Sequence, residues 1–118
     1  MAEAGLFVGW GAPVRGREAK SLDVFQEALA FYGGRKEKGE IEDFEVVLIA
    51  PHGGDLGGFL LVKGSADQIA AIRASDDFDR LNTRAGLVVE QFGVVDAVVD
   101  EGVAGQVETF REAAGELA

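Results

Sequence analysis

Four short apolar runs, two amphipathic stripes of helical spacing between them, and a capping box ahead of the second stripe predict an α+β fold. Their order, βαββαβ, is the split βαβ or ferredoxin-like arrangement, here followed by one more helix at the C-terminus. The length of 118 residues suits a single domain spanning residues 1–118, long enough for one core and too short for two. Hydrophobic residues make up 47% and charged residues 27%, so the chain has enough apolar surface to offset its ordering entropy, and disorder is excluded for the bulk of it.

The first strand is Gly-Leu-Phe-Val-Gly-Trp at residues 5–10, and it stops at Gly11-Ala12-Pro13, where proline removes a ladder donor. From about Arg17 to Tyr32 the residues Leu22, Phe25, Leu29 and Tyr32 recur three, four and three apart, with Ala28 and Phe31 widening the stripe. This predicts an amphipathic helix closed by Gly33-Gly34. Residues 41–50, with Phe44 and the run Val46-Val47-Leu48-Ile49, and then Phe59-Leu60-Leu61-Val62, predict a long hairpin whose tip is the glycine-rich stretch after Pro51.

Ser65-Ala66-Asp67-Gln68 has the spacing of a capping box and opens a second helix that buries Ile69 and Ile72. Ser75 is expected to cap its continuation, with Asp76 and Asp77 in the first turn and Phe78 and Leu81 as the apolar pair. Gly86 is expected to close it, and Leu87-Val88-Val89 through Val98-Val99 to form the fourth strand, bent at Gly93. Val103, Val107, Phe110, Ala114 and Leu117 share one face of the terminal helix.

Charge and composition narrow the function classes. The 21 acidic against 11 basic residues give a net charge of −10, which repels phosphate backbones and anionic bilayers, so neither nucleic acid nor a membrane surface is an expected partner. Arg35, Lys36 and Lys38 are interleaved with Glu37 and Glu40, the pattern of a solvated helix end. The absence of cysteine removes disulfides, thiolate nucleophiles and sulfur-ligated metal sites, in keeping with a reducing cytosol. The acidic start Met1-Ala2-Glu3-Ala4-Gly5 is unlike a signal peptide, and no run approaches the ~20 apolar residues of a membrane span, so a cytoplasmic protein is expected.

An antiparallel sheet with one wet face alternates polar with apolar residues, and these strands do not. Residues 46–49 and 59–62 offer large side chains to both faces, which calls for a cover on the second face. The C-terminal helix would cover part of it, and a homodimer through the sheet all of it. Residues 41–48 (Ile-Glu-Asp-Phe-Glu-Val-Val-Leu), 51–59 (Pro-His-Gly-Gly-Asp-Leu-Gly-Gly-Phe), 73–81 (Arg-Ala-Ser-Asp-Asp-Phe-Asp-Arg-Leu) and Gly93-Val94-Val95 together resemble an uncharacterised bacterial branch of the dimeric α/β-barrel superfamily. The resemblance implies a homodimer whose two sheets close into a barrel with helices outside. The superfamily includes antibiotic-biosynthesis and haem-degrading monooxygenases, muconolactone isomerases and ligand-sensing domains, among which fold alone does not choose.

Topology gathers the candidate site. The first two strands run the same way, so the loop after Trp10, the hairpin tip and the end of the second helix meet at one edge. Trp10, Arg15, Arg17 and Arg84 are the candidate ligand-binding residues there, with His52 as proton shuttle and Asp55 as its orienting carboxylate. Structural roles stand beside these: His52 and Asp55 as turn caps, Trp10 as a core or interface anchor, and the arginines as surface solvation.

The glycines at 53, 54, 57 and 58 lack the spacing of a phosphate loop, and Gly9-Trp10-Gly11 lacks the third glycine and acidic partner of a dinucleotide site. The aspartates at 76, 77 and 79 read as helix capping, and the lone histidine lies in a loop, so no metal, haem or other cofactor is expected. Three functions remain: a small-molecule binding protein with its site between sheet and helices, a cofactorless oxygenase or isomerase using His52, and an interaction module without a pocket.

Overall fold

Alternating apolar residues set four strands: β1 (Ala4–Trp10), β2 (Asp43–Leu48), β3 (Gly58–Gly64) and β4 (Gly93–Val98). The structure, a computed structural model, describes residues 2–118; Met1 lies outside the described residues. The strands lie in the order β2-β3-β1-β4 with every neighbouring pair antiparallel, the ferredoxin-like sheet. Since β1 and β2 both run against β3 they point the same way, and their last residues, Trp10 and Leu48, both sit opposite Gly58.

Four helices complete the chain: α1 (Glu18–Glu37), α2 (Ala66–Arg73), α3 (Asp76–Val88) and α4 (Glu101–Glu116). Leu6 and Val8 face Val62 and Leu60 across the β1–β3 ladder, and all four are buried in one cluster with Val24 and Tyr32 of α1, Ile69 and Ile72 of α2, and Phe78, Leu81 and Val88 of α3. The first three helices therefore share one face of the sheet. No helix of the described residues is long and apolar enough to cross a membrane.

Two boundaries differ from the sequence expectation. The first helix does not stop at Gly33-Gly34 but runs to Glu37. Its stop is Gly39 (φ +74°), whose N–H donates to the Lys36 carbonyl while the Glu40 N–H reaches the Arg35 carbonyl, the two bonds of a Schellman motif. Tertiary ties offset the roughly 1 kcal/mol that each interior glycine costs a helix: Arg35 pairs with Glu40 and with both oxygens of Asp77, and its guanidinium lies 4.8 Å from the centre of the Phe31 ring.

The fourth strand starts at Gly93 and not at Leu87, because α3 continues through Gly86 to Val88. Phe78, Leu81, Ala85 and Val88 recur three, four and three apart, and as a helix they all turn inward. As a strand the segment would send Val88 and Val89 to opposite faces. Residues 89–92 are then strapped to the end of β1 by the Gly11 N–H on the Glu90 carbonyl and the Glu90 N–H on the Ala12 carbonyl, both 2.8 Å.

The caps divide in the same way. At Ser65 both bonds of the capping box are present: the Gln68 N–H donates to Ser65 Oγ at 3.1 Å, and the Ser65 N–H to Gln68 Oε1 at 2.9 Å. Gln68 Nε2 also donates to the Gly39 carbonyl, tying α2 to the end of α1. Ser65→Ala is therefore expected to lower stability by about 1 kcal/mol, read as a shift of the urea midpoint at unchanged slope. At Ser75 the expected capping bond is not made, since its hydroxyl donates to the Ile72 carbonyl.

The centre of the outer face of the sheet is apolar, while Asp43 and Glu45 of β2 and Lys63 of β3 share that face. Phe7 sits between Leu61 and Val95, Val47 lies opposite Phe59, and the rings of Phe7 and Phe59 are 5.0 Å apart. These side chains are half-buried at best, and Val95 is 55% exposed.

Candidate functional site

The convergence of β1 and β2 on Gly58 creates an opening in the layer between sheet and helices. A Cβ on Gly58 would lie 2.7 Å from Trp10 Cζ2, so the bare backbone there is what lets the indole lie across β3. The indole meets the Phe25 ring of α1 edge-on at 5.9 Å. Beyond this pair lies a cavity of about 240 Å³ between the sheet, α1 and α3, walled by Val8, Trp10, Phe25, Tyr32, Leu81 and Phe92, with Ser21 and Asn82 as its polar side chains. Leu22 (64% exposed) and Leu48 (70% exposed) also line it and mark its mouth.

Tyr32 is the unusual member of this wall. It is 1% exposed, its ring stands edge-on to Phe31 at 4.9 Å, and its buried hydroxyl has no hydrogen-bond partner among the described residues. Burial pushes the phenol above its ordinary range, so it stays protonated at any physiological pH and acts as a donor, not a nucleophile. Leaving a buried hydroxyl unpaired costs on the order of 1–3 kcal/mol, a cost that a ligand acceptor would remove.

The predicted site residues divide into four places. Trp10 lines the cavity. The hairpin loop is fastened beside it, with the Gly57 N–H on the Trp10 carbonyl at 2.8 Å and the Asp55 carbonyl against Gly11. His52 and Asp55 are exposed on that loop and do not line the cavity. Both nitrogens of His52 are taken up locally: Nδ1 accepts the Gly54 N–H at 3.2 Å, which leaves Nε2–H to donate to the Leu56 carbonyl at 2.9 Å.

The arginines are placed differently. Arg15 is exposed in the connection to α1. Arg17 donates to the Leu87 carbonyl at 2.8 Å, a cation at the negative end of α3. Arg84 pairs with Glu27 across α1 and α3 at 2.9 Å. Arg17 and Arg84 border a second, more polar pocket of about 460 Å³ with Lys20, Asp23 and Leu87, and Val24 and Val88 line both this pocket and the cavity. Among the described residues no group of three or more histidines, aspartates and glutamates is arranged to hold a metal ion.

Sequence reasoning did not single out Tyr32, Ser21, Asn82 or Phe92. Tyr32 carried a usable signal, because a phenol inside an otherwise apolar helical stripe needs a partner for its hydroxyl. Asn82 and Phe92 carried none, since their placement depends on where α3 ends.

No protein-family profile matches the sequence, and no curated protein matches it either. Solved structures share the fold. A dimeric ferredoxin-like protein of unknown function from Bacteroides fragilis superposes with a TM-score of 0.58 at 13% identity, covering 81% of this chain and 96% of that one. A dimeric ferredoxin-like protein of unknown function from Thermobifida fusca gives 0.60 at 8% identity, covering 82% and 92%. SnoaB, a cofactor-independent oxygenase from Streptomyces nogalater, gives 0.52 at 15% identity, covering 84% and 95%. At these identities the likeness is one of fold: the chain has the ferredoxin-like α+β architecture of these bacterial proteins.

Proposed function

We propose that the protein is a cytoplasmic homodimer that binds a small, mostly apolar molecule carrying one hydrogen-bond acceptor in the cavity between sheet and helices. The observation that carries this reading is a mostly apolar cavity with Tyr32 in its wall, a residue whose buried hydroxyl is unpaired among the described residues. The homodimer is supported by the apolar centre of the outer face and by the dimeric neighbours from Bacteroides fragilis and Thermobifida fusca.

A pair of probes tests the binding. By calorimetric titration, 1-naphthol is expected to bind about ten-fold more tightly than naphthalene, and Tyr32→Phe to abolish the difference. The same variant should leave stability unchanged or raise it by up to about 1 kcal/mol, because it removes an unpaired polar group. Trp10 is the only tryptophan of the chain and lines the cavity, so its emission reports occupancy directly. Equal affinity for the two probes, or none for either, would refute the assignment.

The likeness to SnoaB supports a second reading, a cofactorless oxygenase or isomerase with His52 as base, in which the hairpin loop has to swing the imidazole toward the cavity that it does not line. It requires one of the two loop bonds of the imidazole to break on substrate binding. Binding that survives His52→Ala while turnover is lost would favour it, and neither changing would leave His52 a turn cap.

A further inference from the structure

We propose that α4 is an arm that closes on a second copy of this chain, laying its apolar stripe along the exposed edge strand β2 of that copy and walling the mouth of its cavity. The inference rests on the homodimer reading above and adds to it a second contact and a shared site.

The root of α4 is fixed. Gly102 packs so closely on the Glu3 carbonyl that no Cβ fits between them, the Glu101 N–H reaches the Ala2 carbonyl, and Asp100 turns the chain at φ +45° with its carboxylate 3.5 Å from Lys63 Nζ. The body of the helix, by contrast, touches almost nothing. None of its residues is buried, Phe110 is 74% exposed, and Val103, Val107 and Leu117 stand out beside it. The radius of gyration is 16.1 Å, against ~13–14 Å for a compact chain of this length. A helix with a packed root and a bare apolar stripe is held out toward something.

Area indicates a second copy. Four strands ~4.8 Å apart and about six residues long present a footprint of roughly 400 Å², half of the ~800 Å² that each partner of a stable complex buries. Sixteen helical residues, ~24 Å long and ~10 Å across, add about 240 Å², which brings sheet face and arm together near the required size. β2 and β4 are the two edges of the sheet, and in the arrangement proposed a two-fold axis along the strands sets β4 of one copy over β2 of the other. Leaving from β4, α4 would pass round that edge to the exposed Val46 and Leu48, which lie on the helix-side face of the second copy, where Leu48 with Leu22 marks the cavity mouth.

The chain has no cysteine, which makes the test direct. Oxidation of the double variant Phe110→Cys/Leu48→Cys should give a covalent dimer that neither single variant gives. An intrachain disulfide, no cross-link, or dimers from Phe110→Cys alone would each overturn the placement. Phe110→Glu, at a position exposed in the protomer, should keep its circular dichroism while weakening the dimer at least about ten-fold in sedimentation equilibrium. An unaltered dimer constant against a dimeric wild type overturns the arm alone, whereas a monomeric wild type overturns the homodimer reading with it.

Discussion

Val47→Asp is expected to turn the protein into a folded monomer. Val47 lies opposite Phe59 on the outer face of the sheet, next to the Phe7–Phe59 pair, and is only half-buried within the protomer. A carboxylate there stays hydrated in the single chain, so the core of Leu6, Val8, Leu60 and Val62 on the opposite face is left intact. Between two sheets the same carboxylate would lose its water, at a cost of about 3 kcal/mol or more, which is at least a hundred-fold in the dimer constant. Sedimentation equilibrium with circular dichroism separates a folded monomer from an unfolded chain. A Val47→Asp protein that dimerises like the wild type would show that this face is not the interface. Each protomer carries −10, so the wild-type dimer is also expected to tighten as salt screens the mutual repulsion.

Trp10→Ala should have the largest effect on the chain itself. The indole lies across Gly58 and braces Phe25, so its removal widens the opening of the cavity to solvent and leaves the Phe25 ring without its edge partner. Buried Trp→Ala changes cost about 3–5 kcal/mol, and a half-buried residue belongs near the lower end, about 3 kcal/mol. Affinity for 1-naphthol should disappear with it. Trp10→Phe, which keeps an aromatic wall, should restore most of the stability and part of the binding. A loss under about 1 kcal/mol in urea titration, or binding that survives Trp10→Ala, would mean that the indole is a surface ornament of the edge and not a wall of the site.

The element order, the sheet topology and the two-sided apolar strands were legible in the sequence because they depend on local periodicity and on handedness rules that leave few alternatives. Ser65 and Gln68 formed their reciprocal cap as their spacing specified, since both partners lie within one turn. Glycine was a less reliable guide. Gly33, Gly34 and Gly86 stayed helical and Gly39 became the stop, because Arg35 reaches Asp77 from 42 residues away and Val88 gains a place in the core. Long-range packing outweighs a propensity of about 1 kcal/mol.

The same division runs through the site. Chain direction alone brings Trp10 beside the base of the hairpin, and the Gly57 N–H on its carbonyl is that juxtaposition realised. Side-chain direction is not in the pattern: His52 turned back onto Leu56 and Gly54, Arg17 and Arg84 bound to α3 and α1 on the far side of Val24 and Val88, and Tyr32 entered the core without a partner for its hydroxyl. Sequence determined which strands and helices exist and in what order they pair. Only the tertiary structure decided where a cavity opens and which polar group it leaves unpaired, because those depend on contacts between residues far apart in the chain, where no local period carries the information.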